Sequence, residues 1–174
     1  MFAGPAGGKS TAASELYVEL KKNHIECELI SEFAKQLILE GNHSGIQNQL
    51  YLLGNQLHRQ MCAYSHTDVV ITDSPILLCA IYRQEDSRFL KDISIEQHNK
   101  FNNLNILLKR GDGYTHSMSG RIHSIVESIG IDKKIKSLLI ENNIKFMEHD
   151  NFTHGISDIA SLVMNILKEK SNDR

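Results

Sequence analysis

The residues Ala-Gly-Pro-Ala-Gly-Gly-Lys-Ser-Thr at positions 3–11 constrain the fold of this chain more than any other stretch. They fit the pattern G-x-x-x-x-G-K-[ST], except that Ala3 stands where the pattern has its first glycine. Gly7 and Gly8 can adopt backbone angles that turn successive N–H groups inward around a phosphate. A glycine-rich turn that matches by chance is the alternative, but it does not explain the amphipathic helix that the sequence predicts directly afterwards.

This motif predicts a site for ATP and Mg²⁺. Lys9 can reach the β- and γ-phosphates, the Ser10 hydroxyl can hold Mg²⁺, and the following helix directs the positive end of its dipole at the same anion. We expect Asp73 to be the second Mg²⁺ ligand. The residues predicted to bind ATP are Gly4, Pro5, Ala6, Gly7, Gly8, Lys9, Ser10, Thr11 and Arg110.

A buried strand is expected before such a motif, yet only Met1 and Phe2 precede Ala3. Strands usually run about five or six residues. Either the first strand is a stub, or the start of the chain has been cut or misassigned.

Length and composition predict one domain over residues 1–174. A net charge of −2 gives no general attraction to nucleic acid or to a membrane surface. We see no membrane-spanning run and no signal peptide. The three cysteines form no C-x-x-C pair, which disfavours a zinc site and indicates a reducing compartment, the cytoplasm. A homo-oligomer stays open as an alternative to a monomer.

Apolar periodicity predicts alternating strands and helices, and therefore an α/β fold with an open, mainly parallel sheet and helices on both faces. The predicted strands cover 25–30, 69–72, 104–108 and 144–147. The predicted helices cover 11–22, 33–39, 46–64, 76–82, 94–103, 121–128, 131–142 and 155–170. Segments 42–45, 83–92 and 111–120 are predicted to be loops.

The long helix over 46–64 has a predicted apolar stripe and a neighbouring polar face. The stripe consists of Ile46, Leu50, Leu53, Leu57 and Met61, and the polar face carries Gln49, Gln56 and Gln60. Glutamines beside an apolar stripe are often plain surface residues. Gln56 is nevertheless the one that we expect to hydrogen-bond a base or sugar of the substrate.

Charged and polar residues follow the predicted strands at their carboxyl ends, where open parallel sheets bind their ligands. Asp73 follows four residues of a predicted buried strand, as a Walker B carboxylate does, although a helix cap before Pro75 is an equal alternative. The next residue is Ser74, whereas mechanical ATPases usually carry a water-activating glutamate there. Water activation therefore lacks its obvious base, whereas transfer of a phosphoryl group to a bound hydroxyl stays open.

Glu32, at another strand end, is predicted to be the general base for that hydroxyl and to contact the substrate. The alternative is a solvated acid that favours the dipole of the next helix. Arg110 and Arg121 flank the predicted loop over 111–120, which belongs to a predicted lid over about 111–128. Arginines there can neutralise charge on the transferred phosphoryl group. Exposed arginines on a loop are the alternative. Lys9, Glu32, Asp73 and Arg121 are thus the predicted catalytic residues.

Several strings resemble one known family. They are residues 3–11, Ser31-Glu32-Phe33-Ala34-Lys35, Gln56, Asp73-Ser74-Pro75, Gly120-Arg121 and Ile131-Asp132. Together they are similar to the P-loop AAA-domain family that includes ribosylnicotinamide kinases and many small phage-encoded members. The resemblance implies the three-layer P-loop NTPase fold in one nucleoside-kinase-like domain, with ATP and Mg²⁺ binding. In the kinases of the family it implies phosphoryl transfer to a nucleoside-like acceptor. Ala3 and the short first strand depart from the family pattern.

The sequence therefore favours an ATP-dependent small-molecule kinase whose acceptor is a nucleoside, ribosylnicotinamide or a nucleotide. One alternative is a regulatory ATPase of the AAA type that has no small-molecule acceptor. Another is a nucleotide-binding module without catalysis, for which the short first strand is the main argument.

Overall fold

The computed structural model describes residues 1–82, 88–110, 124–150 and 155–172. Within these ranges the chain forms eight helices and four short strands. The helices are α1 (Lys9–Lys22), α2 (Phe33–Leu39), α3 (His43–Gln47), α4 (Gln49–Tyr64), α5 (Leu78–Tyr82), α6 (Arg88–His98), α7 (Ile125–Glu141) and α8 (Ser157–Asn172). The strands are β1 (Cys27–Ile30), β2 (Val69–Thr72), β3 (Ile106–Leu108) and β4 (Met147–His149).

The strands form two parallel pairs, β1 with β2 and β3 with β4. Between the pairs lies the segment of Met1 and Phe2. Phe2 donates to Ile106 O (2.7 Å) and accepts from Leu108 N (2.8 Å), which makes a single parallel bridge to β3. The backbone nitrogen of Met1 donates to Thr72 O, at the end of β2 (2.7 Å).

The prediction of an α/β chain with parallel strands is thus confirmed, but in the described residues the strands form two pairs and not one open sheet. In the described residues, Phe2 makes one bridge to β3, and Met1 makes one backbone hydrogen bond to Thr72 at the end of β2.

Helices cover both faces of β3. Ile106 and Leu108 pack in one apolar cluster with α1 and α8, whereas Leu107 packs in another with α5 and α7. This division follows from the period of two in a strand, which sends successive side chains to opposite faces. Phe2 belongs to the second cluster and Ala3 to the first, so this segment shares the same alternation. At β3 the two clusters therefore lie on opposite sides of the strand, with α1 and α8 in one and α5 and α7 in the other.

The predicted apolar stripe of the long helix is wrong at Leu50 and Met61, which are 64% and 54% exposed. It is right at Leu53, which is buried, and at Ile46 and Leu57, which pack against the same apolar cluster. The buried residues of α4 are Leu52, Leu53, Gln56, Gln60 and Ala63. Gln56 and Gln60 are buried, so the expectation of plain surface glutamines is also wrong for these two residues. The amide of Gln56 faces inward because it hydrogen-bonds to the backbone of Phe33 and to the side chain of Thr72.

Several element boundaries also differ from the prediction. The expected loop at 42–45 runs into α3, since the Asn42 side chain accepts a hydrogen bond from Gly45 N and caps this short helix. The expected helix over 94–103 is α6, which begins at Arg88 and ends at His98. The last strand, β4, begins at Met147 and not at 144.

The two helices expected over 121–128 and 131–142 are a single helix, α7, in the described part. Its start is fixed by a capping box in which Ser124 and Glu127 each accept from the other's backbone N–H. Gly130 lies inside the helix and does not interrupt it. Residues 83–87 and 111–123, including most of the predicted lid, lie outside the described residues. Among the described helices, none is both long enough and apolar enough to cross a bilayer.

His98 gives a test of how tightly the Met1–Phe2 segment is packed. Its ring is 5% exposed and lies edge-on to Phe2 at 6.4 Å between centroids, and burial lowers the pKa of His98 from 6.5 to about 4. The unfolded chain therefore binds more protons between pH 6.5 and pH 4, and stability falls as the pH drops through that window.

We expect His98→Phe, which keeps a ring against Phe2, to remove this pH dependence. Between pH 7 and pH 5 the parent's free energy of unfolding should fall by about 2 kcal/mol more than that of the variant. Urea denaturation at both pH values measures the difference. An equal fall in the free energy of unfolding of parent and variant between pH 7 and pH 5 would contradict a buried, neutral His98.

Candidate functional site

The glycine-rich loop (residues 4–8) makes a tight turn between Ala3 and α1. Ala6 and Gly8 have positive φ angles of 60° and 80°, and Gly7 N donates to Gly4 O (3.1 Å). A positive φ is unfavourable for alanine, and such backbone strain is concentrated at functional sites. Lys9 Nζ reaches back over the turn and donates to Gly4 O (3.2 Å).

Ala3 and Gly7 fit against each other. A Cβ at Gly7 would lie 2.5 Å from the Ala3 methyl carbon, so the alanine in the first motif position makes a glycine necessary at position 7. Ala3 is fully buried, and its methyl group belongs to the apolar cluster under α1. The departure from the motif is thus accommodated in the core without opening the turn.

The N-terminus of α1 faces the loop without a side-chain cap. Its N-cap is Gly8, and no side chain hydrogen-bonds to the cap position. The first N–H groups of a helix have no partner within the helix and carry the positive end of its dipole. Backbone groups arranged in this way can bind an anion such as a phosphate.

Ser10 and Asp73 meet beside the loop. Ser10 Oγ donates to Asp73 Oδ2 (2.5 Å), and the Asp73 carboxyl is buried at 4% exposure. Among the described residues, no group hydrogen-bonds to the buried Asp73 Oδ1. A buried carboxylate oxygen without a partner costs free energy, and a cation would satisfy it.

This pair fits the coordination that Mg²⁺ prefers. In the described parts of the chain, no cluster of three or more His, Cys, Asp and Glu side chains could hold a metal by itself. Mg²⁺ commonly takes one or two protein ligands and completes its shell with water and substrate phosphates. Ser10 Oγ and Asp73 would therefore hold Mg²⁺ only together with a phosphate ligand.

Lys9 carries its ammonium into this group of charges. Burial lowers the pKa of Lys9, while the carboxylates of Glu32, Asp73 and Asp132 oppose that shift and the Arg110 guanidinium adds to it. A partly desolvated ammonium interacts strongly with an anion, because little water screens it. Lys9 is thus placed as the motif predicts, above the turn and close to Asp73.

A cavity of about 470 Å³ opens beside the loop, a volume in the usual range for small-molecule sites. Its polar lining includes residues 5–11, Glu32, Lys35, Gln56, Ser74 and Tyr82. Its apolar lining includes Phe33, Ile38, Ile46, Leu52, Pro75, Leu78 and Cys79. The loop, Glu32 and the apolar wall therefore share one space.

Glu32 is the N-cap residue of α2, but its side chain makes no cap hydrogen bond. It lines the cavity, and its charge acts on Lys9. Its position at the N-terminus of α2 also suits the alternative role, an acid that favours the helix dipole, so both readings stay open. Tyr82 also lines the cavity, and burial, followed by the charges of Glu32 and Asp132, raises the pKa of its hydroxyl.

Gln56 lines the cavity, but its amide is engaged by the protein. Its Oε1 accepts from Phe33 N (3.3 Å), and its Nε2 donates to Thr72 Oγ1 (3.3 Å) and to Ser31 O (3.5 Å). At 3% exposure it ties the end of β1 to the end of β2. Its predicted contact with a substrate stays a prediction.

Arg110 is held beside the loop by two partners. Its Nε donates to Asp132 Oδ2 (2.5 Å) and its Nη2 to Pro5 O (2.7 Å). The expectation that Arg110 lies near the loop is confirmed, while its contact with ATP stays a prediction. Asp132 was not predicted as a site residue, since it appeared only in the short Ile131-Asp132 string. Tyr82 and Lys35 were missed as lining residues as well. Arg121 lies outside the described residues.

Comparisons with protein-family models, with curated proteins and with solved structures found no match to this chain. What can be said of the site therefore depends on its own geometry.

The loop can be tested with inorganic tripolyphosphate, which carries the phosphate groups without a nucleoside. We expect Lys9→Met to weaken its binding by about tenfold or more, because Lys9 is the partly desolvated ammonium nearest the loop. Lys35→Met is the matched control, since Lys35 is exposed at the same cavity and the change removes the same charge. Titration calorimetry in the presence of Mg²⁺ measures both. Equal weakening in the two variants would indicate only a general charge effect.

Proposed function

We propose that this chain is an ATP-dependent kinase that transfers the γ-phosphoryl group to a hydroxyl of a small acceptor: a nucleoside, ribosylnicotinamide or a nucleotide. The observation that carries the proposal is the single cavity that joins the glycine-rich loop to Glu32 and an apolar wall. Such a cavity offers room for the triphosphate end of one substrate and for the aromatic ring of another.

We also propose that the two strand pairs belong to one sheet of a three-layer P-loop NTPase fold. The support is the Met1–Phe2 segment, whose backbone hydrogen-bonds to β3 on one side and to β2 on the other. In that reading the order is β1, β2, Met1–Phe2, β3, β4. The carboxyl ends of β1 and β2, with Glu32 and Asp73 directly after them, then face the glycine-rich loop.

The residues have distinct roles in this reaction. The N–H groups of the loop and the Lys9 ammonium bind the phosphates, and Thr11 lies in the first turn of α1 at the same cavity. Mg²⁺, held by Ser10, Asp73 and phosphate oxygens, would neutralise charge on the phosphates. The acceptor oxygen bonds to the γ-phosphorus, its proton passes to Glu32, and the bond to the bridging oxygen breaks so that ADP leaves.

Two features favour transfer over hydrolysis. Ser74 follows Asp73, so this position offers no carboxylate to activate water. The wall beside Glu32 carries Phe33, Leu52 and Leu78, which an acceptor ring would cover and so exclude water from the base. The hydroxyl of an acceptor is thus the substrate to which Glu32 is suited.

The cytoplasm is the compartment that we propose. Cys27, Cys62 and Cys79 are free thiols in the structure, which suits a reducing compartment that also supplies ATP.

The proposal is tested by measuring two rates in Glu32→Gln: phosphorylation of an acceptor and background hydrolysis of ATP. Labelled ATP with a panel of nucleosides, ribosylnicotinamide and nucleoside monophosphates first identifies the acceptor. We expect phosphorylation to fall by about 10²–10⁴-fold, because the variant keeps its size but loses the base. Hydrolysis and ATP affinity should change little.

Two comparisons make this result specific. Glu40→Gln, at the other end of α2 and exposed, makes the same chemical change and should leave both rates unaltered. Asp73→Asn should impair both rates, since Asp73 serves the Mg²⁺ that every ATP reaction needs. An equal loss of both rates in Glu32→Gln would instead make Glu32 a water-activating or metal-binding residue and favour an ATPase.

A further inference from the structure

Asp132 connects α7 to the glycine-rich loop through both of its carboxylate oxygens. Oδ1 accepts from Gly4 N and Oδ2 accepts from Arg110 Nε, each at 2.5 Å. Arg110 Nη2 in turn donates to Pro5 O (2.7 Å). The contacts close a ring that runs from Asp132 to Gly4, along the chain to Pro5, and back through Arg110. Both ends of the Gly4–Pro5 unit are thereby held from one side.

The backbone of α7 also comes close to the loop at this point. A Cβ at Gly4 would lie 2.5 Å from Ser128 O, 2.9 Å from Asp132 Oδ1 and 3.2 Å from Arg110 Nη2. Glycine at position 4 is therefore required by the helix and the ion pair that pack against it. The start of α7 is itself fixed by the capping box of Ser124 and Glu127.

The pair is sheltered from solvent, and this makes its geometry well defined. The side chains of Arg110 and Asp132 are 15% and 24% exposed. A buried carboxylate–guanidinium pair that also satisfies backbone groups holds a specific geometry, because breaking any one contact leaves a charge or a peptide group desolvated. The next residues along the chain, Ala6 to Gly8, include the two with positive φ.

We propose that Asp132 is a positioning residue that, with Arg110, braces the glycine-rich loop in the conformation that binds phosphate. This inference rests on the proposed function, since it assigns the brace to the site that would bind ATP. Asp132 and Arg110 act on the nucleotide through Gly4 and Pro5, which set the direction of the N–H groups that follow. Asp132 also balances the charge of Arg110 beside Lys9, which keeps the lysine suited to an anion.

The brace and the earlier prediction for Arg110 make opposite predictions for Asp132→Asn. If Asp132 braces the loop, the variant binds Mg·ATP and tripolyphosphate about tenfold more weakly or worse, because the charged acceptor that orders the loop is lost. If Arg110 itself binds the phosphates and Asp132 only restrains it, the variant releases the guanidinium and binds more tightly. Titration calorimetry on the full chain shows whether Asp132→Asn weakens or tightens the binding of Mg·ATP and tripolyphosphate.

Two further variants keep the result interpretable. Asp92→Asn is the matched control, since Asp92 is exposed on α6 and lies outside the cavity lining. Gly4→Ala should reproduce the weakening of Asp132→Asn, because its Cβ would displace the same contacts. A variant that merely folds less well would show fewer binding sites per chain with an unchanged Kd, whereas the brace predicts a changed Kd with a full count of sites.

The Arg110 side chain gives a readout that needs no ligand. In the parent, the NMR signal of Arg110 Nε–H should exchange slowly with water, since this group donates to Asp132 in a sheltered position. Asp132→Asn should shift that signal and speed its exchange, and Asp92→Asn should not.

The outcomes separate the two proposals. If the parent binds neither Mg·ATP nor tripolyphosphate, the proposed function falls, and the brace falls with it whatever the NMR signal shows. If the parent binds both and Asp132→Asn binds them equally well, the brace is overturned while the kinase proposal stands. Tighter binding by Asp132→Asn also overturns the brace and returns Arg110 to the phosphates.

Discussion

The arrangement of the site depends on the backbone hydrogen bonds of Met1 and Phe2. Through its hydrogen bonds to Ile106 and Leu108, and through Met1 to Thr72, this short segment lies between the two strand pairs. Thr72 directly precedes Asp73, so the bond from Met1 sets the distance between the start of the glycine-rich loop and the acid. Phe2 is 1% exposed, and the burial of its ring stabilises the position of the backbone that leads into the loop.

Several charged side chains lie around that loop. Three carboxylates, Glu32, Asp73 and Asp132, act on one partly buried ammonium, Lys9. Asp132 is fully used by Gly4 and Arg110, whereas Asp73 has one oxygen without a described partner. An unsatisfied buried oxygen beside a strained turn is a free-energy cost that a ligand can offset. This arrangement supports the proposed binding of an anion and a cation together at the loop.

The sequence predicted the parts of the site that depend on neighbours along the chain. The turn, the helix after it, and the positions of Glu32 and Asp73 after strands all follow from local patterns, and the structure has them in those places. It failed where tertiary contacts decide. Periodicity ranked Leu50 and Met61 as buried, because it cannot show that the amide of Gln56 finds partners at Ser31, Phe33 and Thr72. Asp132 was missed as a site residue, since nothing in its surroundings in the sequence indicates a contact 128 residues away with Gly4.

Gln56 shows how such a long-range contact bears on the chemistry. Its amide holds Ser31 O and Phe33 N, the groups on either side of Glu32, while its other hydrogen bond reaches Thr72 before Asp73. One buried side chain therefore fixes the spacing between the proposed base and the proposed metal ligand. Glu32 and Asp73 lie beyond the last paired residues of β1 and β2. Without the hydrogen bonds of Gln56, the distance between the two carboxylates would depend on backbone that the β1–β2 ladder does not restrain. The hydrogen bonds of Gln56 thus give it a role in spacing Glu32 and Asp73 that is separate from its predicted contact with a substrate.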